Sequence, residues 1–216
     1  MTYQYLLFDL DGTISDPKQG ITNCLNYALA SFDLPQHPPD RLAQFIGPPL
    51  DYSFRQLVGE RNPEFIGALV AKYRERYAEI GYRENALYPG IVHALTELHQ
   101  HAGVVIGLCT SKRADFAHKI LELFNLSHFF TFVSGGDVGV AKSSQIGALL
   151  DAGTINASTL MIGDRHFDLA AAQAHAIDGA GVLWGYGSEA ELKPFNPVFL
   201  LRHTHELLPA LLHRGQ

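Results

Sequence analysis

Short apolar runs alternate with stretches of helical period along most of the chain. Residues 5–8, Tyr-Leu-Leu-Phe, have no polar break, the pattern of a strand buried on both faces. Runs at 104–108, 129–133 and 159–162, and a weaker one at 181–184, predict four more strands. Between them the apolar positions repeat at 3.6 residues: Ile91, Ala94, Leu95 and Leu98; Phe116, Ile120, Leu123 and Phe124; Ile146, Leu149 and Leu150; then an alanine-rich helix ending at His175. Strands alternating with helices predict a parallel sheet with helices on both faces and right-handed crossovers. The tail, with Pro194 and Pro197, predicts one more helix near residues 205–212.

Residues 17–85 break this alternation. Asp16 followed by Pro17 reads as an N-cap and a first-turn proline, opening a helix over 17–32 with Ile21, Leu25, Ala28 and Leu29 on one face. Pro35, Pro38 and Pro39 interrupt it. Helices follow over 51–58 and 63–82, the second with a stripe of Phe65, Leu69, Tyr73 and Tyr77 beside Ile66, Val70 and Ile80. No segment here reads as a strand. The expected architecture is an α/β, Rossmann-like core with a parallel sheet (1–15 and 86–216) and an inserted all-helical cap (16–85).

The polar groups that follow the apolar runs carry the chemical argument. Asp9 and Asp11 follow the first run, with Gly12 and Thr13 behind them; Thr110 and Ser111 follow the second; Asp164 and Asp168 follow the fourth. The carboxyl ends of strands in a parallel sheet share one edge, where open α/β sheets bind ligands. Each group alone has a structural explanation. Asp-Gly is turn chemistry, Thr110-Ser111 can cap a helix, and Lys142 can be a solvated lysine. Three sets of polar groups at strand ends are hard to assign to turns alone.

Composition narrows the class. At 216 residues the chain exceeds one average domain and falls short of two, as a core with a large insertion requires. Apolar residues make up 47% and charged residues 18%, which excludes a disordered chain. A net charge of −6 gives no electrostatic footprint for nucleic acid, so a phosphorylated substrate would need local positive charge. No apolar run approaches the ~20 residues of a membrane span. Met1 leads directly into the first strand, leaving no space for a signal peptide, so the expected location is the cytoplasm. Cys24 and Cys109 lack zinc spacing, and the histidines are scattered in the manner of surface residues.

A phosphate ester at that edge gives every group a task. Asp9 can attack phosphorus, since carboxylates form aspartyl-phosphates. Asp11, two residues on along an extended segment, can protonate the leaving alkoxide and then deprotonate the hydrolytic water. Thr110 or Ser111 can hydrogen-bond the non-bridging oxygens, and Lys142 supplies a compact cation. Close carboxylates raise each other's pKa unless a cation neutralises them, which calls for a hard dication, Mg2+, with Asp164 completing its oxygen set. Asp168, one helical turn on, can orient the ligands from behind.

In these residues the chain resembles the haloacid-dehalogenase-like hydrolase superfamily, within it the phosphoglycolate-phosphatase-like group with a helical cap. Asp9 to Thr13 match Asp-x-Asp-Gly-Thr; Thr110, Lys142 and Gly163-Asp164 with Asp168 match the other three motifs, in order. The resemblance spans the chain to about Trp184. It implies Asp9 as nucleophile, Asp11 as acid/base, and Mg2+ held by Asp9, the main-chain carbonyl of Asp11, and Asp164. The implied activity is hydrolysis of a small phosphorylated metabolite by a monomer or dimer, with neither nucleic acid nor membrane as partner. The chain departs from the group in Ser143-Ser144-Gln145, where Pro-x-Pro often follows the lysine, and in Arg165-His166 between the last two acids. Gly47-Pro48-Pro49-Leu50 resembles the cap loop that faces the site, with Gly47 and Pro48 as candidate specificity residues; a rigid packing loop explains it equally. A phosphomutase of the same superfamily is the alternative. A phospho-receiver switch fits poorly, because it does not normally carry so large an insertion after its first strand. A dehalogenase would not need Asp11.

Overall fold

The computed structural model describes residues 3–137 and 139–212. In chain order it runs β1 (Tyr5–Phe8), β2 (Ser15–Asp16), α1 (Lys18–Ala30), α2 (Pro39–Leu42), α3 (Leu50–Val58), α4 (Pro63–Glu79), β3 (Ala86–Leu87) and α5 (Ile91–Gln100). Then come β4 (Val105–Arg113), α6 (Ala114–Leu123), β5 (Phe132–Gly136), α7 (Lys142–Asp151), β6 (Thr159–Gly163) and α8 (His166–Ala174). The chain closes with β7 (Asp178–Val182), α9 (Glu189–Leu192), β8 (Phe199–Leu201) and α10 (Leu207–Leu212). Short 3-10 turns join several of these elements.

Six strands form one sheet in the order β5-β4-β1-β6-β7-β8, with every pairing parallel. The α/β, Rossmann-like expectation holds. The unbroken run of β1 places it in the sheet interior, between β4 and β6. Its alternating side chains feed two layers. Leu6 and Phe8 join one core with Ile106, Leu108, Leu160, Ile162 and residues of α5, α6 and α10. Leu7 joins another with Cys109, Met161 and residues of α7 and α8.

Residues 18–79 hold four helices and a separate apolar core of their own. Asn62 caps α4 by accepting from the Phe65 N–H at 2.8 Å, and Pro63 fills the first helical position. Ile66, Leu69, Val70, Tyr73 and Tyr77 are buried along α4, whereas Ile80, assigned to the same stripe, lies past its end and is 47% exposed. One core residue, Phe116 of α6, also belongs to this cluster. The segment is joined to the rest by β2 and β3, an antiparallel pair that sets Ser15 opposite Leu87 and Asp16 opposite Ala86.

Several boundaries differ from the sequence reading. Helix α1 starts at Lys18, not Pro17; Asp16 stays in β2 and accepts from the Lys18 N–H at 2.9 Å. Residues 127–129 form a 3-10 turn, so β5 begins at Phe132, and β4 runs on to Arg113. Strand β7 covers Asp178–Val182 and not 181–184, because Trp184 leaves the sheet and donates to Thr13 O at 3.0 Å. Strand β8, in the proline-marked tail, was not foreseen.

Candidate active site

The register of the central strands assembles the site. Phe8 pairs with Leu108 on one side and Ile162 on the other, so the residues that follow each come to the same edge of the sheet. The Asp9 N–H still donates to Ile162 O at 2.9 Å. Asp9, Asp11, Thr110, Lys142, Asp164 and Asp168 are all buried there, and Ser111 is half-buried.

The turn after β1 requires Gly12. Its φ is +85°, and a Cβ built on it would lie 2.2 Å from Asp164 Oδ2. The chain therefore passes against the Asp164 carboxylate with no room for a side chain. A Cβ at Gly185 would lie 2.2 Å from Gly12 O and 2.5 Å from the Asp164 carboxylate. Both backbones pack directly against Asp164. The Tyr186 N–H donates to its Oδ2 at 2.8 Å, and the Thr13 hydroxyl donates to its Oδ1 at 3.4 Å.

Lys142, at the start of α7, faces two carboxylates. Its Nζ lies 3.0 Å from Asp9 Oδ1, off the hydrogen-bonding direction, and it hydrogen-bonds Asp168 Oδ1. Asp168 Oδ2 accepts the Arg165 N–H at 3.0 Å. Both oxygens of Asp168 are thus engaged, while no hydrogen-bond donor reaches Asp9 Oδ1 among the described residues. Thr110 O and Ser134 O accept from Gln145 Nε2 at 3.1 and 2.9 Å, which ties α7 to the ends of β4 and β5. Gln145, which the sequence marks only as part of the departure after Lys142, has its signal in its place one turn after that lysine.

Burial sets the protonation of the acids. It drives Asp164 well above the ordinary aspartate range, with Asp168 and Asp9 adding like charge. It also pushes Asp168 up to about 6, against the opposing pull of Lys142. Burial raises Asp11 as well, offset in part by Lys112. For Lys142 burial acts against the ammonium, but Asp168 and Asp9 outweigh it and hold the pKa above the usual value.

A dication fits this donor set. Asp9, Asp164 and Asp168 each offer an oxygen, and these atoms lie within 4.8 Å of one another, all buried. An excess of buried carboxylate, with an Asp9 oxygen that accepts no hydrogen bond, is what a hard cation with oxygen ligands would satisfy.

Two basic side chains that the sequence left without a role have clear contacts. Lys112, beyond Ser111, pairs with Asp11 Oδ2 at 2.7 Å. Arg165 reaches across to the helical segment, where its Nη1 donates to Ile46 O and to Gln44 O, while its Nε donates to Glu191 at 2.9 Å. His166 Nδ1 stands 2.8 Å from the same Glu191 oxygen. Gly47 and Pro48 line a cleft of about 700 Å3, its solvent mouth included, together with Asp9, Asp11, Thr110, Ser111 and Lys112. Tyr73, Tyr77 and Phe116 add aromatic surface to the lining.

A family model described as haloacid dehalogenase-like hydrolase matches residues 6–182. The chain is 37% identical over 202 residues to a 5'-nucleotidase of Pseudomonas aeruginosa, covering 92% of this chain and 90% of that one. It is 34% identical to the tyrosine-protein kinase PtkA of Mycobacterium tuberculosis, over 85% of this chain and 63% of that longer one. It is also 30% identical to a phosphoglycolate phosphatase of Yersinia pestis, over 94% and 91%. The crystal structure of a predicted phosphatase from Clostridium acetobutylicum superposes with a TM-score of 0.92 at 32% identity, over 98% of this chain and 99% of that one.

Proposed function

The chain belongs to the haloacid dehalogenase-like hydrolase family, and on that premise we propose that it hydrolyses a small phosphomonoester through an aspartyl-phosphate on Asp9, with Mg2+ as cofactor. It is a phosphatase of the phosphoglycolate-phosphatase-like group, a phosphoric monoester hydrolase. The observation that carries the finer reading is one pair of carboxylates. Asp9 and Asp11 sit buried at the end of the central strand, with a separate cation, Lys142 or Lys112, at each.

Asp9 attacks phosphorus in line with the departing oxygen. Lys142, Thr110 and Ser111 bind the non-bridging oxygens, so the charge that builds on them meets fixed donors. Asp11 gives its proton to the leaving alkoxide, then takes one from the water that opens the acyl phosphate. Asp9, the Asp11 carbonyl and Asp164 would hold Mg2+, which when bound neutralises the repulsion between substrate phosphate and nucleophile. Asp168 keeps Lys142 aimed at Asp9. The loop at Gly47 and Pro48 faces the leaving group and selects among esters. Among the described residues no helix is long and apolar enough to cross a membrane, and the proposed setting is the cytoplasm with a phosphorylated metabolite as substrate.

The test is the fate of solvent oxygen. In 18O-labelled water the released phosphate is expected to carry the label and the alcohol none, because the P–O bond breaks. Label in the alcohol, as attack on carbon would give, overturns the reading. Transfer of phosphate to a second hydroxyl in place of water would make the chain a phosphotransferase or phosphomutase instead.

A further inference from the structure

We propose that Lys112 is the positioning residue that fixes Asp11 for proton transfer, and that Tyr77 of the helical segment holds Lys112 in place. The inference rests on the reading of Asp11 as the acid and base of the reaction. Lys142 already serves Asp9 and Asp168, so the second cation of the site is not needed to neutralise the nucleophile. Lys112 lies where the pairing of β4 with β5 shifts register, between Thr110 and Arg113, and such irregularities re-aim side chains. Its ammonium is buried, with the Lys112 and Asp11 side chains only 7% and 10% exposed.

The contacts divide the Asp11 carboxylate into two unequal oxygens. Lys112 Nζ lies 2.7 Å from Oδ2, while Oδ1 has no hydrogen-bond partner among the described residues. A carboxylate gripped at one oxygen cannot turn freely, so Oδ1 is presented in a fixed direction. Oδ1 is also shielded from bulk solvent, which leaves it to the reacting alkoxide and water that enter with the substrate. The grip has its own support. Lys112 Nζ donates to the Tyr77 hydroxyl at 2.7 Å and stands 4.5 Å from the centre of the same ring. Tyr77 in turn stacks on Tyr73 at 5.4 Å and meets Phe116 edge-on at 5.0 Å. Lys112 belongs to β4 and Asp11 to the turn after β1, whereas Tyr77 belongs to α4. The geometry of proton transfer is therefore complete only while the helical segment is seated on the sheet edge.

A misplaced acid costs most where the leaving group needs a proton. The experiment compares kcat/KM, which reads events up to the aspartyl-phosphate, on an alkyl ester, glycerol 3-phosphate, and an aryl ester, p-nitrophenyl phosphate. General acid–base catalysis is worth roughly 100-fold or more. Lys112→Met is expected to lose on the order of that factor on the alkyl ester and less than about threefold on the aryl ester. Tyr77→Phe keeps the ring and its stacking, and is expected to shift the ratio the same way by about tenfold. Asp11→Asn is the reference. If it loses equally on both esters, Asp11 is not the acid and the underlying reading fails. If Asp11→Asn discriminates while Lys112→Met and Tyr77→Phe do not, the positioning role is overturned. A rise in KM on both esters with kcat unchanged would make Lys112 a substrate-binding cation and overturn it as well. Should Lys112→Met fail to fold, Tyr77→Phe decides alone.

Discussion

Lys142 stands 3.0 Å from Asp9, and no other lysine or arginine pairs with that carboxylate among the described residues. Its side chain is 3% exposed, so the ammonium has no water to fall back on. Lys142→Met would strand Asp9 and Asp168 as unpaired buried charges. The expected loss is about 3–5 kcal/mol of stability. Denaturant unfolding in chelator measures it, and added Mg2+ should return part of the loss by neutralising the same carboxylates. Unchanged stability would mean that the carboxylates are already protonated.

The acids predict how the metal-free protein responds to pH. Burial raises Asp164 well above the ordinary value and Asp168 to about 6, so the folded chain keeps protons that the unfolded chain has released. Stability then falls as pH rises, from the ordinary aspartate value of 3.8 through about 6. Asp164→Asn removes one such group at nearly constant shape. In chelator at neutral pH the variant should melt above the parent, and Mg2+ should raise the melting temperature of the parent alone. A variant less stable than the parent in chelator would show that the carboxylate's bonds from Tyr186 and Thr13 outweigh its desolvation.

Asp9→Asn should abolish turnover while the fold persists, since the amide has almost the same shape and cannot act as the nucleophile. The expected fall is more than about ten-thousandfold, beyond what loss of acid–base assistance alone accounts for. Near-normal rates in this variant would remove Asp9 from the role of nucleophile. Circular dichroism establishes that the chain remains folded.

How far the sequence revealed the site depended on whether its parts were local. Asp9, Asp11, Thr110 and Asp164 each follow an apolar run, and a parallel sheet necessarily brings such positions to one edge. Lys142 follows no apolar run and is marked only by its charge and a motif resemblance, yet it lies beside Asp9. Lys112 was written next to Ser111 and could not be singled out, because its partner Tyr77 is 35 residues away on another element. Arg165 is similar: its acceptors at Gln44 and Ile46 are main-chain oxygens, which leave no mark on a sequence. Strand β7 carries Gly179 and Gly181, and β8 has only three residues, so neither had enough apolar periodicity to fix its limits.

The contact of Arg165 with the loop at Gly47 gives a fourth prediction. A Cβ at Gly47, where φ is +102°, would come within 2.9 Å of Arg165 Cγ. Gly47→Ala should therefore push the loop off Arg165 at a stability cost of roughly 1–3 kcal/mol. Arg165→Ala should loosen the same loop without that strain, and residues 41–50 should become more sensitive to limited proteolysis. If these variants change preference among phosphate esters, the loop selects substrate; an equal loss on all esters marks it as packing.

Ser15 faces Leu87, and Asp16 faces Ala86, across a pair of two-residue strands. The chain thus leaves the sheet-bearing half and returns to it at neighbouring points, however long the excursion between them. Closing that gap asks almost nothing of the intervening sequence, since the entropy of loop closure grows only slowly with length. The arrangement works as a socket. A short turn, or a foreign helical bundle with close-set ends, could replace residues 17–85 and leave the sheet register undisturbed. Substrate choice could then be exchanged by transplanting the excursion, while Asp9, Lys142 and Asp164 stay where β1, α7 and β6 put them.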